Sequence, residues 1–153
     1  LRPSTMNGHV ALYHACLHDD QNTIPMWFQE VISSYVSTLN NCAYSYANHW
    51  SNACHLIADA AKSDRIEAAF KSRSPQDVFD GSDLEILNYA EKLTLRPGDI
   101  TKTDVDTLKS VGISDGEILE ANQIIGYFNY VNRLLNGLGV TTAGDIVGYY
   151  KSE

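Results

Sequence analysis

The stretch Leu39-Asn-Asn-Cys42-Ala-Tyr-Ser45-Tyr-Ala-Asn-His49-Trp-Ser-Asn-Ala-Cys54 decides how this chain is read. At about 100° per residue, a helix places Ser45 and His49 within roughly 60° of Cys42. Cys42, Ser45, Tyr46, His49 and Ala53 then share one face, while Cys54 and His55 point elsewhere. A helix start at Asn40 or Asn41 puts Cys42 in the first turn, where free amides and the dipole favour an anion and depress a thiol pKa. The magnitude matters: a thiol of pKa about 8.5 is about 3% thiolate at pH 7, and lowering it to about 6 makes it roughly 90% thiolate. The plainer reading of the same residues is a small buried Cys, a core His and a Ser bonded to its own backbone.

Outward from this stretch, apolar residues recur at helical spacing and sustained alternation is missing, which predicts an all-α chain. A first helix is expected over residues 3–18, broken by Asp19-Asp20-Gln21-Asn22. Thr23 as N-cap and Pro25 early in the next helix start a second, to about Asn40, with Ile24, Phe28, Val31, Tyr35 and Leu39 as its stripe. The third runs through Ala61, and Ser63-Asp64 opens a short fourth over residues 65–71, followed by a loop to Gly81. Ser82-Asp-Leu-Glu85, Thr101-Lys-Thr-Asp104 and Ser114-Asp-Gly-Glu117 read as capping boxes. The last opens the longest stripe, Ile118 to Leu135, which Asn136-Gly137 ends, and a short segment over 142–150 is expected to dock back. The sum is seven or eight helices in one domain over residues 1–153.

Composition narrows the function. The chain has 153 residues, 44% hydrophobic and 20% charged, enough for one core and too apolar for disorder. Eleven basic against nineteen acidic residues give a net charge of −8, and the densest cationic pair is Lys71 and Arg73. Nucleic acid and anionic membrane surfaces are therefore unsuitable partners, and no apolar run reaches the roughly 20 residues needed to span a bilayer. No signal peptide is visible, and the start at Leu1 leaves room for an upstream segment. Three cysteines, Cys16, Cys42 and Cys54, are an odd set that reads as free thiols in a reducing compartment, the cytoplasm.

Around Cys42 the sequence resembles the alkylhydroperoxidase D-like proteins, grouped with the carboxymuconolactone decarboxylases. The family pattern is a Glu, eleven residues, then Cys-x-x-Cys-x-x-x-His. Here Glu30 precedes Cys42, Ser45 and His49 at that spacing. Leu93-Thr-Leu-Arg-Pro97, Asp104-Val-Asp-Thr-Leu108, Val111-Gly-Ile-Ser-Asp115 and Tyr127-Phe-Asn-Tyr-Val-Asn-Arg133 through Gly137-Leu-Gly-Val140 are similar to the peroxidase-related branch. The resemblance implies an all-α fold, a homo-oligomer (trimer or hexamer) with its pocket near a subunit interface, and no cofactor. It also implies a cycle in which the second cysteine attacks a peroxide and the first resolves the sulfenic acid. Ser45 occupies the attacking position, and a hydroxyl cannot follow that ladder. Cys54 cannot substitute, because twelve residues rise about 18 Å along a helix.

Three chemistries follow. In the first, Cys42 alone reduces a small-molecule hydroperoxide, activated by His49 and Glu30 and recycled by an external thiol reductant, with Tyr44 and Tyr46 lining the pocket. In the second, His49 is a general base with Glu30 orienting it and Ser45 binding substrate, as in a decarboxylase or lactonase. In the third, catalysis is lost and the scaffold serves assembly or ligand binding. Glu30 shares its helix face with Ser33, Ser34 and Ser37, either a solvated polar face or a slim one against which another helix packs. His14 and His18 are four apart but lack a third ligand, so no metal is expected. His9 reads as a surface or packing residue, and Trp27 and Trp50 read as core or interface aromatics. Asn129, Asn132 and Arg133 read as satisfying helix ends or a subunit contact.

Overall fold

The computed structural model describes residues 2–150; the ends of the expected domain, Leu1 and residues 151–153, lie outside it. Among the described residues there are seven helices and no strand: α1 (Pro3–Leu17), α2 (Met26–Leu39), α3 (Ala43–Ile57), α4 (Ala60–Ser72), α5 (Gly81–Leu95), α6 (Lys102–Ser110) and α7 (Asp115–Gly137). Single 3-10 turns, Pro75–Asp77 and Pro97–Asp99, link α4 to α5 and α5 to α6.

α2 is the axis of the fold. It packs most extensively on α3 and also meets α7, α5 and α4. One side, with Val31, Ile32, Tyr35, Val36 and Leu39, joins the apolar cluster built with Phe70, Leu87, Ile124, Ile125 and Phe128. The other side, Glu30, Ser33, Ser34 and Ser37, is equally buried. The three hydroxyls donate back to the carbonyls four residues earlier at 2.7–2.8 Å. Small, self-satisfied serines let α3 approach closely without leaving a polar atom unpaired. The slim face is the one that forms.

Several sequence expectations are corrected. Thr23 does not cap α2; Pro25 holds the N-cap position. The Glu120 carboxylate of α7 accepts the backbone N–H groups of Thr23 and Ile24 at 2.9 and 3.0 Å, so a distant acid does the local work. Ser82 is not a cap either, because α5 already starts at Gly81 after Asp80. α3 stops at Ile57 rather than Ala61, because Ala58 turns left-handed (φ 52°). Asp59 then accepts from the Lys62 N–H and opens α4 at Ala60, earlier than expected. The boxes at Thr101 and Ser114 form as read: Thr101 N–H donates to Asp104 at 2.7 Å, and Ser114 and Glu117 close reciprocally at 2.8 and 3.2 Å.

Residues 142–150 dock back without forming a helix. No helix is long and apolar enough to cross a membrane among the described residues. The outer sides of α1 and α7 expose Met6, Val10, Leu12, Tyr130 and Leu134, with Leu138 just beyond α7.

Candidate functional site

The turn between α2 and α3 sets where the thiol lies. Asn41 is left-handed (φ 52°), its N–H donates to Thr38 O at 3.0 Å, and the Cys42 N–H donates to Ser37 O at 2.9 Å. This is a Schellman closure of α2, and it makes Cys42 the N-cap of α3 rather than a first-turn residue. The thiol makes no capping hydrogen bond. Cys42 is 1% exposed, and burial pushes its thiol pKa up, with the Ser45 backbone N–H pulling the other way with less weight. The expected depression of this thiol is thus overturned: the cost of burying a thiolate outweighs the helix start.

Glu30 and His49 meet inside the α2–α3 contact. His49 Nδ1 lies 2.6 Å from Glu30 Oε2, both side chains are buried, and Asn52 Nδ2 donates to Glu30 Oε1 at 3.1 Å. A carboxylate oxygen accepts here, so Nδ1 carries the proton of this contact, and in the neutral imidazole Nε2 then keeps its lone pair. The Phe128 ring stands edge-on to the imidazole at 4.6 Å and fixes its plane.

Nδ1 is engaged, and the ring borders a cavity of about 460 Å³. Tyr13 from α1, Tyr127 from α7, Tyr44 and Ser45 from α3, and Tyr149 from the C-terminal segment share it with His49. Burial, then Glu30, pushes the Tyr13 hydroxyl well above its usual range, and burial does the same first for Tyr127 and Tyr149. These phenols stay neutral. No lysine or arginine lines this cavity among the described residues.

Ser45 Oγ is 2.9 Å from Ser37 Oγ. Ser37 gives its proton to Ser33 O at 2.8 Å, and Asn132 Nδ2 donates to Ser37 at 3.2 Å. Ser45 Oγ is thus tied to this buried polar cluster while it borders the cavity.

Of the six candidates, the structure therefore brings His49, Ser45 and Tyr44 to the wall of one cavity, with Glu30 behind the imidazole. Cys42 and Tyr46 line a different, shallower hollow of about 300 Å³ with Ser37, Thr38 and Lys71. Sharing a helix face does not mean proximity: seven residues separate Cys42 from His49 by about 10 Å of rise. Tyr46 instead stacks on Trp50 and donates to Glu67 at 3.0 Å. Cys16 and Cys54 are free, and burial raises both thiols. His14 and His18 lie ring to ring at 5.6 Å, and no cluster of three metal-ligating side chains exists among the described residues. The His9 ring lies tilted against Tyr127, with centroids 5.7 Å apart. Asn129 bridges Asn40 and Thr94 at 3.1 and 3.0 Å and ties α7 to its neighbours, while Arg133 donates to Asn129 O within α7.

Sequence reasoning missed Asn48, Asn52, Tyr13, Tyr127 and Tyr149. Asn52 carries a usable signal, three residues after His49 and thus on the same side of α3. Tyr149 carries none, since it arrives from 100 residues away.

No family model matches the chain, and no curated protein matches it. Solved structures do. A peroxidase-related protein from Silicibacter sp. TM1040 superposes with TM-score 0.80 at 22% identity, over 92% of this chain and 71% of that one. A peroxidase-related protein with an alkylhydroperoxidase AhpD core from Ralstonia eutropha JMP134 gives TM-score 0.80 at 18% identity with the same coverage, 92% and 71%. The debrominase Bmp8, solved in complex with 2,3,4-tribromopyrrole, gives TM-score 0.75 at 18% identity over 92% and 71%. At these identities the likeness establishes the architecture: the chain has the all-helical AhpD-like fold of the peroxidase-related proteins.

Proposed function

We propose that this chain is a thiol-independent acid–base catalyst on the AhpD-like fold, in which His49, oriented by Glu30, moves a proton on a small uncharged substrate. The observation that carries this reading is the 2.6 Å contact between Glu30 and His49, whose ring borders a largely apolar cavity that no cysteine lines. Glu30 holds the proton on Nδ1, leaving Nε2 to take one from a substrate O–H or from a C–H beside a carbonyl. The imidazolium so formed is stabilised by the same carboxylate, as in any His–acid pair. Ser45, whose hydroxyl borders the cavity beside Ser37, hydrogen-bonds the substrate. With no cation lining the cavity and a net charge of −8, substrates bearing carboxylates or phosphates are disfavoured and neutral lactones or cyclic ketones suit it. The cavity shares Met6 and Val131 with the surface between α1 and α7, whose exposed apolar side chains a second copy of the chain would cover.

Hydrogen–deuterium exchange at the carbon beside the carbonyl of a small neutral lactone, followed by proton NMR, tests this. Exchange is expected in the wild type and in Cys42→Ala, and lowered by about 10²-fold or more in His49→Ala. Exchange no faster in the wild type than in His49→Ala overturns it.

A second reading keeps the sulfur. The Ser45 backbone N–H beside Cys42 favours a thiolate, and the structural neighbours are peroxidase-related. Cys42 would attack a hydroperoxide oxygen, releasing the alcohol and leaving a sulfenic acid that an external thiol reduces in two steps to thiol and disulfide. Peroxide consumption with an added dithiol, lost in Cys42→Ala and kept in His49→Ala, would carry this reading and defeat the first.

A further inference from the structure

Residues 142–150 are irregular, yet their last part is held by side chains rather than by chance packing. Asn48 and Asn52, one turn apart on α3, present two amide oxygens to two successive backbone N–H groups: Gly148 N–H donates to Asn48 Oδ1 at 3.1 Å, and Tyr149 N–H donates to Asn52 Oδ1 at 2.7 Å. Gly148 has φ +82°, and a Cβ there would meet Ser51 Oγ at 2.6 Å and Ser51 Cβ at 3.1 Å. Only glycine lets the strap lie this close to α3. The Tyr149 ring is thereby set against His49, centroids 6.4 Å apart, and lines the cavity.

Asn52 faces both ways. It is 1% exposed, and while its oxygen takes the Tyr149 N–H its Nδ2 donates to Glu30 Oε1. The amide orientation is fixed at each end, because a carboxylate must receive N–H and a backbone N–H must meet oxygen. With Oε1 so held, Oε2 is aimed at His49 Nδ1. Without the Tyr149 N–H, a buried amide oxygen is left unpaired and the side chain is free to turn away from Glu30.

We propose that Asn52 is a positioning residue for the Glu30–His49 pair and that it works through the seated C-terminal strap, whose Tyr149 forms the cavity wall beside the imidazole. This deepens the acid–base reading, but its test does not depend on turnover. The titratable groups around the imidazole are Glu30 from α2, His9, Tyr13 and His18 from α1, Tyr44 from α3, Tyr127 from α7 and Tyr149 of the strap; only Glu30 hydrogen-bonds the ring among the described residues. Nitrogen-15 NMR of the His49 imidazole therefore reports the orientation of that carboxylate directly.

The experiment compares the wild type with Asn52→Ala and with Gly148→Ala, which unseats the strap without touching the pair. The expected result is a wild-type spectrum with the proton on Nδ1, and in both variants a shift toward tautomer averaging. Phenol, used as a neutral ring probe, should bind Gly148→Ala about tenfold more weakly. Unchanged imidazole resonances in Gly148→Ala overturn the proposal, whether or not Asn52→Ala shifts them. Failure of lactone exchange with the expected NMR shifts would sink the acid–base reading and leave this inference standing.

Discussion

Cys42 and His49 lie on the same helix, seven residues apart and within one angular sector, yet they face different hollows. Cys42 caps the start of α3 beside Thr38, Tyr46 and Lys71. His49 sits about two turns deeper, paired with Glu30 and surrounded by tyrosines. In the family pattern, the residue one turn before the histidine is the sulfur that would join these two regions; here it is Ser45, a hydroxyl hydrogen-bonded to Ser37. The comparison teaches that a thiol and a buried histidine–acid pair can share one face of a helix without sharing a cavity.

The strongest way to break the comparison is to remove the acid. Glu30→Ala leaves the His49 and Asn52 donors buried without their acceptor, so a loss of about 3 kcal/mol in unfolding free energy is expected by urea denaturation. Proton exchange should fall with it. Glu30→Ala with wild-type stability would mean that the pair does not organise the α2–α3 contact.

Ser45→Cys sharpens the contrast from the other side, by restoring a sulfur one turn from His49. If that imidazole can activate a thiol, the new cysteine should be labelled by a sulfenic-acid probe after peroxide addition more than about thirtyfold faster than Cys42 in the wild type. About thirtyfold is the ratio of thiolate fractions at pH 7 between a thiol of pKa about 6 and a free one of about 8.5, and burial of Cys42 widens it. It should then form a disulfide with Cys42, visible as loss of two thiols by mass. Equal rates in the two proteins would show that the His49 cavity does not favour a thiolate.

The smallest effect concerns Cys42 itself. Burial raises its folded-state pKa above the unfolded value, so the neutral thiol is the form the fold prefers. The resulting stability is fully present below the unfolded pKa, near 8.5, and is lost as pH rises through the folded value. Between pH 8 and 10, the melting temperature of Cys42→Ser should fall less than that of the wild type. The same slope in both would place the thiol in contact with solvent.

Most of the helices were legible in the sequence because apolar periodicity and reciprocal caps are local. Thr101 with Asp104 and Ser114 with Glu117 read correctly since both partners lie within one turn. Thr23 misled because its partner is Glu120, almost a hundred residues on. The break at Ala58 misled because an alanine in a left-handed conformation carries no local signal.

For the site, the sequence by itself determined which residue types exist and at what spacing: Glu30 twelve before Cys42, Ser45 in place of a sulfur, and His49 one turn on. Those are properties of the covalent chain and of helix repeat. Only the tertiary structure decided that Glu30 turns inward to meet His49, that Cys42 is buried at a helix junction, and that Asn52 hydrogen-bonds both the strap and the acid. Each depends on how closely α2 and α3 approach and on what a distant segment covers. Burial and long-range hydrogen bonding set the energy of a charge, and neither is written in the local order of residues.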